Sequence, residues 1–183
     1  RYVALGRGGV ELADLQAKLR PGEAYWQLID TLAGLFGMLI TPTSAKVYRS
    51  PQSRRQLNED VRAIRDSIAR SDQGQVITDP FDLERSYGLF QRLMGPIASE
   101  LAAVKHLIVE PDGALLQLPL SLLITDRAGI DAYQARQKLA GADEFDFRGI
   151  RWLGRGRQIS TAVGPRSFLD VRAIAPSRAR NAY

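Results

Sequence analysis

His106-Leu107-Ile108-Val109-Glu110-Pro111-Asp112-Gly113, followed by Leu115 and then by Leu118-Pro119-Leu120-Ser121-Leu122-Leu123, carries the clearest structural signal in the chain. The short apolar run 106–110 reads as a buried strand. Pro111-Asp112-Gly113 reads as a turn, because proline presets φ and glycine permits φ > 0. Ala114 to Leu118 is expected to return as a second strand, making a hairpin. Pro119 then opens a short apolar helix, Leu120 to Ile124.

Upstream, Leu12, Leu15 and Leu19 fall at helical spacing, so Val10 to Leu19 is expected to be a short helix stopped by Pro21-Gly22. Three apolar runs follow, Ala24 to Leu32, Leu35 to Thr41 and Ala45 to Arg49, and read as strands in a meander. A helix over Tyr25 to Leu35 is the rival reading, since Trp26, Ile29 and Ala33 also fit a helical stripe. Leu57, Val61, Ile64 and Ile68 mark the next helix, with Ser50 as its expected cap and Pro51 in its first turn. Arg54, Arg55, Glu59, Arg62 and Asp66 form its solvated face, and Ser71-Asp72-Gln73-Gly74 ends it. Asp82 caps another helix carrying Leu83, Tyr87, Phe90 and Met94. Gly95-Pro96 breaks it, and Ile97 and Leu101 continue for a turn or two.

Downstream, residues 125–149 are polar and read as an insertion loop with a helix around Ala132 to Leu139. Ile150 to Leu153 and Gln158 to Val163 are expected strands. Ser167 is placed to cap a last helix with Phe168, Val171 and Ile174. Helices alternating with short strands argue an α/β layer structure.

The composition excludes much. The chain has 183 residues, no Cys and one His. There is no disulfide, no zinc-thiolate site and no cysteine nucleophile within it, and a multi-histidine metal site is impossible. The length implies one domain, at most two, with ~65–70% of the unfolded surface buried on folding. The longest apolar run, Leu32 to Ile40, has nine residues, against about 20 for a spanning helix. No membrane segment or signal peptide is read, and a cytoplasmic location is expected. The chain starts at Arg1 rather than Met and reads as a piece of a longer protein. The formal charge is +5, yet residues 147–183 hold eight Arg against one acid, Asp170, so the remainder carries −2. An Arg count of 21 against 4 Lys hints at a high-GC source.

No catalytic, cofactor-binding or metal-ligating set emerges from the residue patterns. His106 at a strand start is expected to be structural, because a general base needs an adjacent nucleophile and an orienting carboxylate. Ser121 and Ser167 lie in no Gly-x-Ser-x-Gly elbow. Gly6-Arg7-Gly8-Gly9 and Gly154-Arg155-Gly156 complete no phosphate-loop pattern and read as turn glycines. Glu110 with Asp112, and Asp143-Glu144-x-Asp146, lack calcium-loop spacing and read as exposed acidic turns.

Four segments, in order over roughly residues 10–175, together resemble the N-terminal half of a CHAT domain, the caspase-like module often found with tetratricopeptide repeats. They are Leu12-Ala13-Asp14-Leu15-Gln16-Ala17-Lys18-Leu19-Arg20-Pro21-Gly22-Glu23-Ala24; Leu89-Phe90-Gln91-Arg92-Leu93-Met94-Gly95-Pro96-Ile97; the Pro-Asp-Gly and Leu-Pro stretch quoted first; and Trp152-Leu153 with Gln158-Ile159-Ser160-Thr161-Ala162 and Pro165-x-Ser167. The departures are Arg166 inserted in the Pro-Ser step, Leu120 in place of an aromatic, and the added loop 125–149. The resemblance implies an incomplete caspase-like layered sheet with flanking helices, a single-domain fragment over 1–183 belonging to a larger bacterial protein. It also implies that the family's His and Cys lie beyond the Pro-Ser helix, so the chain alone is expected to be inactive. Its expected partners are the remainder of the parent chain, including the catalytic half and tetratricopeptide repeats, with a protein or peptide as the parent's substrate. One alternative is a pseudo-protease scaffold docking repeats or a partner. Another is phosphate or nucleic-acid binding through Arg148, Arg151, Arg155 and Arg157, with nucleic acid the less favoured ligand.

Overall fold

β1 (Glu23–Thr31) alternates its side chains between two covered faces, and that alternation organises the molecule. In the computed structural model, which describes residues 9–174, Ala24, Trp26 and Leu28 enter one core while Tyr25 enters another. β1 follows α1 (Leu12–Lys18) and pairs antiparallel with β2 (Gly34–Ile40), which pairs with β3 (Ala45–Arg49). The expected meander therefore forms, and the rival helix does not. Both faces of β1 and β2 are largely covered, which removes the simple apolar/polar alternation of a half-exposed sheet, whereas β3 at the edge is mostly exposed.

α2 (Arg54–Ile68) and α3 (Leu83–Met94) bring Leu57, Val61, Ile64, Leu89, Phe90 and Leu93 to the first core. The cap of α2 is Ser53, whose Oγ accepts from Gln56 N at 3.2 Å. Ser50, the expected cap, is buried instead and donates to the Arg92 carbonyl at 3.0 Å. Ile68 ends the stripe 41% exposed. Residues expected only to terminate this helix form a hairpin, β4 (Arg70–Asp72) and β5 (Gln75–Ile77). Its two loop residues, Gln73 and Gly74, both have positive φ, as a tight hairpin turn requires. Asp82 caps α3 as expected, accepting from Arg85 N at 3.0 Å. Gly95–Ile97 forms a single 3-10 turn leading to α4 (Ala98–Leu101).

β6 (His106–Glu110) runs parallel to β1, with Glu23 opposite His106. β7 (Gln158–Thr161) runs parallel to β6 on its other side, giving the order β3-β2-β1-β6-β7. That arrangement overturns the expected Pro-Asp-Gly hairpin: both edges of β6 are already taken, so Ala114 to Leu118 has no strand position to occupy. Gly113, at φ 55, with Asp112 Oδ1 accepting from its N–H at 2.7 Å, opens a 3-10 segment over Gly113–Gln117 instead. Leu120–Leu122 is also 3-10 rather than an α-helix.

The expected insertion contains α5 (Arg127–Gln137), starting earlier than anticipated because Asp126 Oδ1 accepts from Gly129 N at 3.0 Å. Ile124, Ile130 and Ile150 join Leu83 in a third small core there. The expected strand Ile150 to Leu153 reduces to one bridge, Ile124 to Trp152. α6 (Pro165–Ala173) follows β7, with Gly164 rather than Ser167 at its cap position. Ser167 Oγ bonds the Gly164 N–H at 3.1 Å and the Gly164 carbonyl at 2.8 Å. Only Phe168 of its expected apolar stripe is buried; Val171 and Ile174 are exposed. Leu15, Leu19, Ile108 and Phe168 make the second core under α1 and α6. Among the described residues no helix is long and apolar enough to cross a membrane. The Gly6-Arg7-Gly8 part of the first glycine cluster lies outside the described residues, as do Arg178 and Arg180 of the basic stretch.

Candidate functional site

The entrances of three parallel strands carry a line of hydrogen-bonding side chains on the face covered by α1 and α6. Glu23 begins β1, His106 begins β6 beside it, and Ser160 sits two residues into β7 on the same face. His106 Nδ1 is 3.2 Å from Glu23 Oε1, and its Nε2 is 2.8 Å from Ser160 Oγ. With Nδ1–H donating to Glu23, Nε2 accepts from the serine hydroxyl, which is the tautomer a nucleophile-activating relay uses. Ser160, rather than Ser121 or Ser167, is the serine that meets His106. The missed signal is register: Ser160 is opposite Ile108, so it shares a face with His106 only once β6 and β7 pair in parallel.

Two features make this line a structural tie. Arg172 of α6 donates from Nη2 to the same Glu23 oxygen at 2.7 Å, and Arg20 N donates to Oε2 at 2.9 Å. The carboxylate's charge is therefore satisfied by an arginine rather than reserved for an imidazolium. The line also lies at the amino ends of the strands, whereas ligands of open α/β sheets bind beyond the carboxyl ends. Arg172 further stacks over Phe168 at 5.0 Å, so the network pins α6 to the sheet.

Burial alone would push the Glu23 carboxyl up; the Arg20 N–H, Arg172 and His106 outweigh it and hold the group below its usual 4.5. A depressed folded value means that Glu23 stabilises the fold above the unfolded value, and that this contribution is lost as pH falls through the folded one. Glu23→Gln is expected to lower the thermal midpoint at pH 7 and to flatten its further fall between about pH 5 and pH 3. Melting curves across that range check it; parallel pH profiles for the two proteins would exclude the network from the acid limb.

At the carboxyl ends, Glu110 is no exposed turn residue. It is half-buried, accepting from Tyr25 Oη at 2.5 Å and Gln27 Nε2 at 3.0 Å. Burial raises its carboxyl above the usual value despite these donors. Asp112, two residues on, is spent on its own turn. A cleft of about 1100 Å³ opens nearby between α2 and the 113–117 segment. Its charged groups are largely matched: Arg54 lies 2.5 Å from Asp30, Arg62 lies 3.6 Å from Asp66, and Arg65 bonds Gln117.

The other acidic cluster is held by cations. Arg148 draws the Asp146 carboxyl down to about 2, and Arg136 lies 3.4 Å away. Gly154-Arg155-Gly156 is a turn, as expected, with Gly156 at φ 83. Of the four arginines considered for anion binding, Arg148 and Arg151 are paired with Asp146 and Asp126. Arg155 and Arg157 line a separate small cleft with Trp152.

A mixed five-stranded sheet with helices on both faces is compatible with a caspase-like fold. The family model for the CHAT domain matches residues 84–183, more than half of the chain, and the chain belongs to that family. The match takes in three of the four resembling segments, the Pro-Asp-Gly stretch among them, while the segment at 12–24 lies before it. No curated protein matches the chain, and no solved structure does.

Proposed function

We propose that this chain is the non-catalytic N-terminal part of a caspase-like cysteine endopeptidase module within a larger bacterial protein that also carries tetratricopeptide repeats. The observation behind this reading is the outer edge of β7. Among the described residues β7 pairs with β6 alone, and α6 follows it directly. A strand followed by a helix packed back on the sheet is the first half of a parallel crossover, whose next strand adds to that open edge. Membership of the CHAT family supports the same direction. The chain has no Cys, so a thiolate nucleophile would come from the following half. His106 is engaged by Glu23 and Ser160 at the opposite ends of the strands, which argues against its serving as the dyad histidine.

The purified 183-residue chain is expected to leave casein and fluorogenic peptides uncleaved beyond a protein-free blank. Cleavage that copurifies with the chain would overturn the assignment. The coding sequence after Tyr183 separates the peptidase from a scaffold: a His followed some tens of residues later by a Cys supports the first, and the absence of both supports the second.

A further inference from the structure

Arg157 is a partly buried guanidinium with no hydrogen-bond or ion-pair partner among the described residues. Its Nη1 is shielded from solvent and has no acceptor among the described residues. Arg136 Nε also lacks a hydrogen bond, but it lies 3.4 Å from Asp146 Oδ2, and Nη2 of the same side chain bonds the Asp146 and Arg148 carbonyls. Arg157 has no such compensation, and burial pushes its pKa down. With no acceptor at the shielded Nη1 and no ion-pair partner among the described residues, the Arg157 charge is uncompensated, and an anion in the cleft that this side chain lines would balance it.

The surroundings agree. Thr125, Gly149, Arg151, Trp152, Arg155 and Arg157 line a cleft of about 530 Å³. No carboxylate lines it, and Arg155 has no ion-pair partner among the described residues. Arg151, on the third wall, is already held by Asp126 at 3.0 Å.

We propose that Arg155 and Arg157, walled by Thr125, Gly149, Arg151 and Trp152, form a binding site for the phosphate group of a small phosphate monoester. Two guanidinium forks present more donors than one carboxylate can accept, whereas a tetrahedral dianion offers three oxygens and two charges. The volume is that of a small-molecule pocket. A nucleic-acid track would need a run of free cations, and the neighbouring cations are spent: Arg148 on Asp146, Arg151 on Asp126, Arg127 on Glu84 and Asp131. Trp152 offers a built-in reporter, because the other tryptophan, Trp26, is fully buried.

The full chain is titrated with phenyl phosphate at low salt, followed by tryptophan fluorescence and calorimetry. Saturable binding at one site per chain is expected, with benzoate at least about tenfold weaker and inorganic phosphate competing. Arg157→Met is expected to weaken binding about tenfold or more while leaving the thermal midpoint unchanged or higher, since it removes an uncompensated cation. Arg155→Ala, at an exposed position, is expected to weaken binding several-fold without affecting folding, and Arg148→Ala to leave it unchanged. No saturable binding, equal binding of benzoate, or affinity indifferent to both Arg155→Ala and Arg157→Met would overturn the site. So would tighter binding of a single-stranded oligonucleotide with a steep salt dependence, which would assign the surface to nucleic acid.

Discussion

Replacing Gly37 with alanine is expected to destabilise the chain by about 3 kcal/mol, lowering the thermal midpoint by roughly 6–12 °C for a domain of this size. Gly37 stands opposite Tyr48 in the β2–β3 ladder. The Tyr48 ring crosses over the glycine toward β1. A Cβ there would fall 2.2 Å from Tyr48 Cζ and 2.3 Å from its Oη. The ring cannot simply swing away. Its hydroxyl accepts from Trp26 Nε1 at 2.8 Å and donates to the Leu93 carbonyl at 2.5 Å, joining β1, β3 and α3. Trp26 is fully buried, so moving Tyr48 strands an indole N–H inside the core. The double variant with Tyr48→Ala provides the check. In that background Gly37→Ala is expected to cost under about 1 kcal/mol, because the clash has gone. An undiminished cost would mean the glycine is needed for a backbone reason instead.

Asp60→Asn is expected to cost about 2–3 kcal/mol in urea unfolding with an unchanged m-value. Asp60 is 5% exposed on the inner side of α2. Its carboxylate takes Arg92 Nη2 at 2.5 Å and Arg85 Nη1 at 3.0 Å, both from α3. Arg92 Nε in turn donates to Gln52 Oε1 at 2.7 Å. An asparagine keeps the shape but turns an NH₂ toward one guanidinium and removes the charge that both need. The loss falls below the ~3–5 kcal/mol of a fully buried pair because Arg85 and Arg92 keep part of their hydration. The contrast is Glu59→Gln one residue earlier. Its pair with Arg55 is 3.7 Å long and exposed, and is expected to contribute under about 0.5 kcal/mol, vanishing in salt. Equal effects of the two substitutions would remove Asp60 from the α2–α3 contact.

The sequence was legible where the information is local. Asp82 with the stripe Leu83 to Met94 names a helix and its start, and the structure agrees within a residue. The three-strand meander was readable from its turns, although a helix over Tyr25 to Leu35 competed with it until strand pairing decided between them. Asp60 was not: no local pattern on α2 marks it, and its partners lie 25 and 32 residues away. Ser50 and Ser53 are chemically equivalent caps until the Arg92 carbonyl claims the first. Ser160 becomes a partner of His106 only through a pairing that spans 54 residues.

By itself the sequence settled the α/β class, most element positions, the CHAT resemblance and the absence of any thiol in this chain. These rest on residue identity, on periodicity within a turn or two, and on caps and turn residues, all of which act over a few positions. The tertiary structure decided the rest. Parallel pairing on both edges of β6 left the segment after Pro111-Asp112-Gly113 without a strand slot and turned it into 3-10 helix. The same packing matched Arg148 and Arg151 with acids while leaving Arg157 partly buried and without a partner among the described residues. Strand neighbours and ion-pair partners are chosen between residues brought together by burial of a common core, and no local pattern encodes that choice.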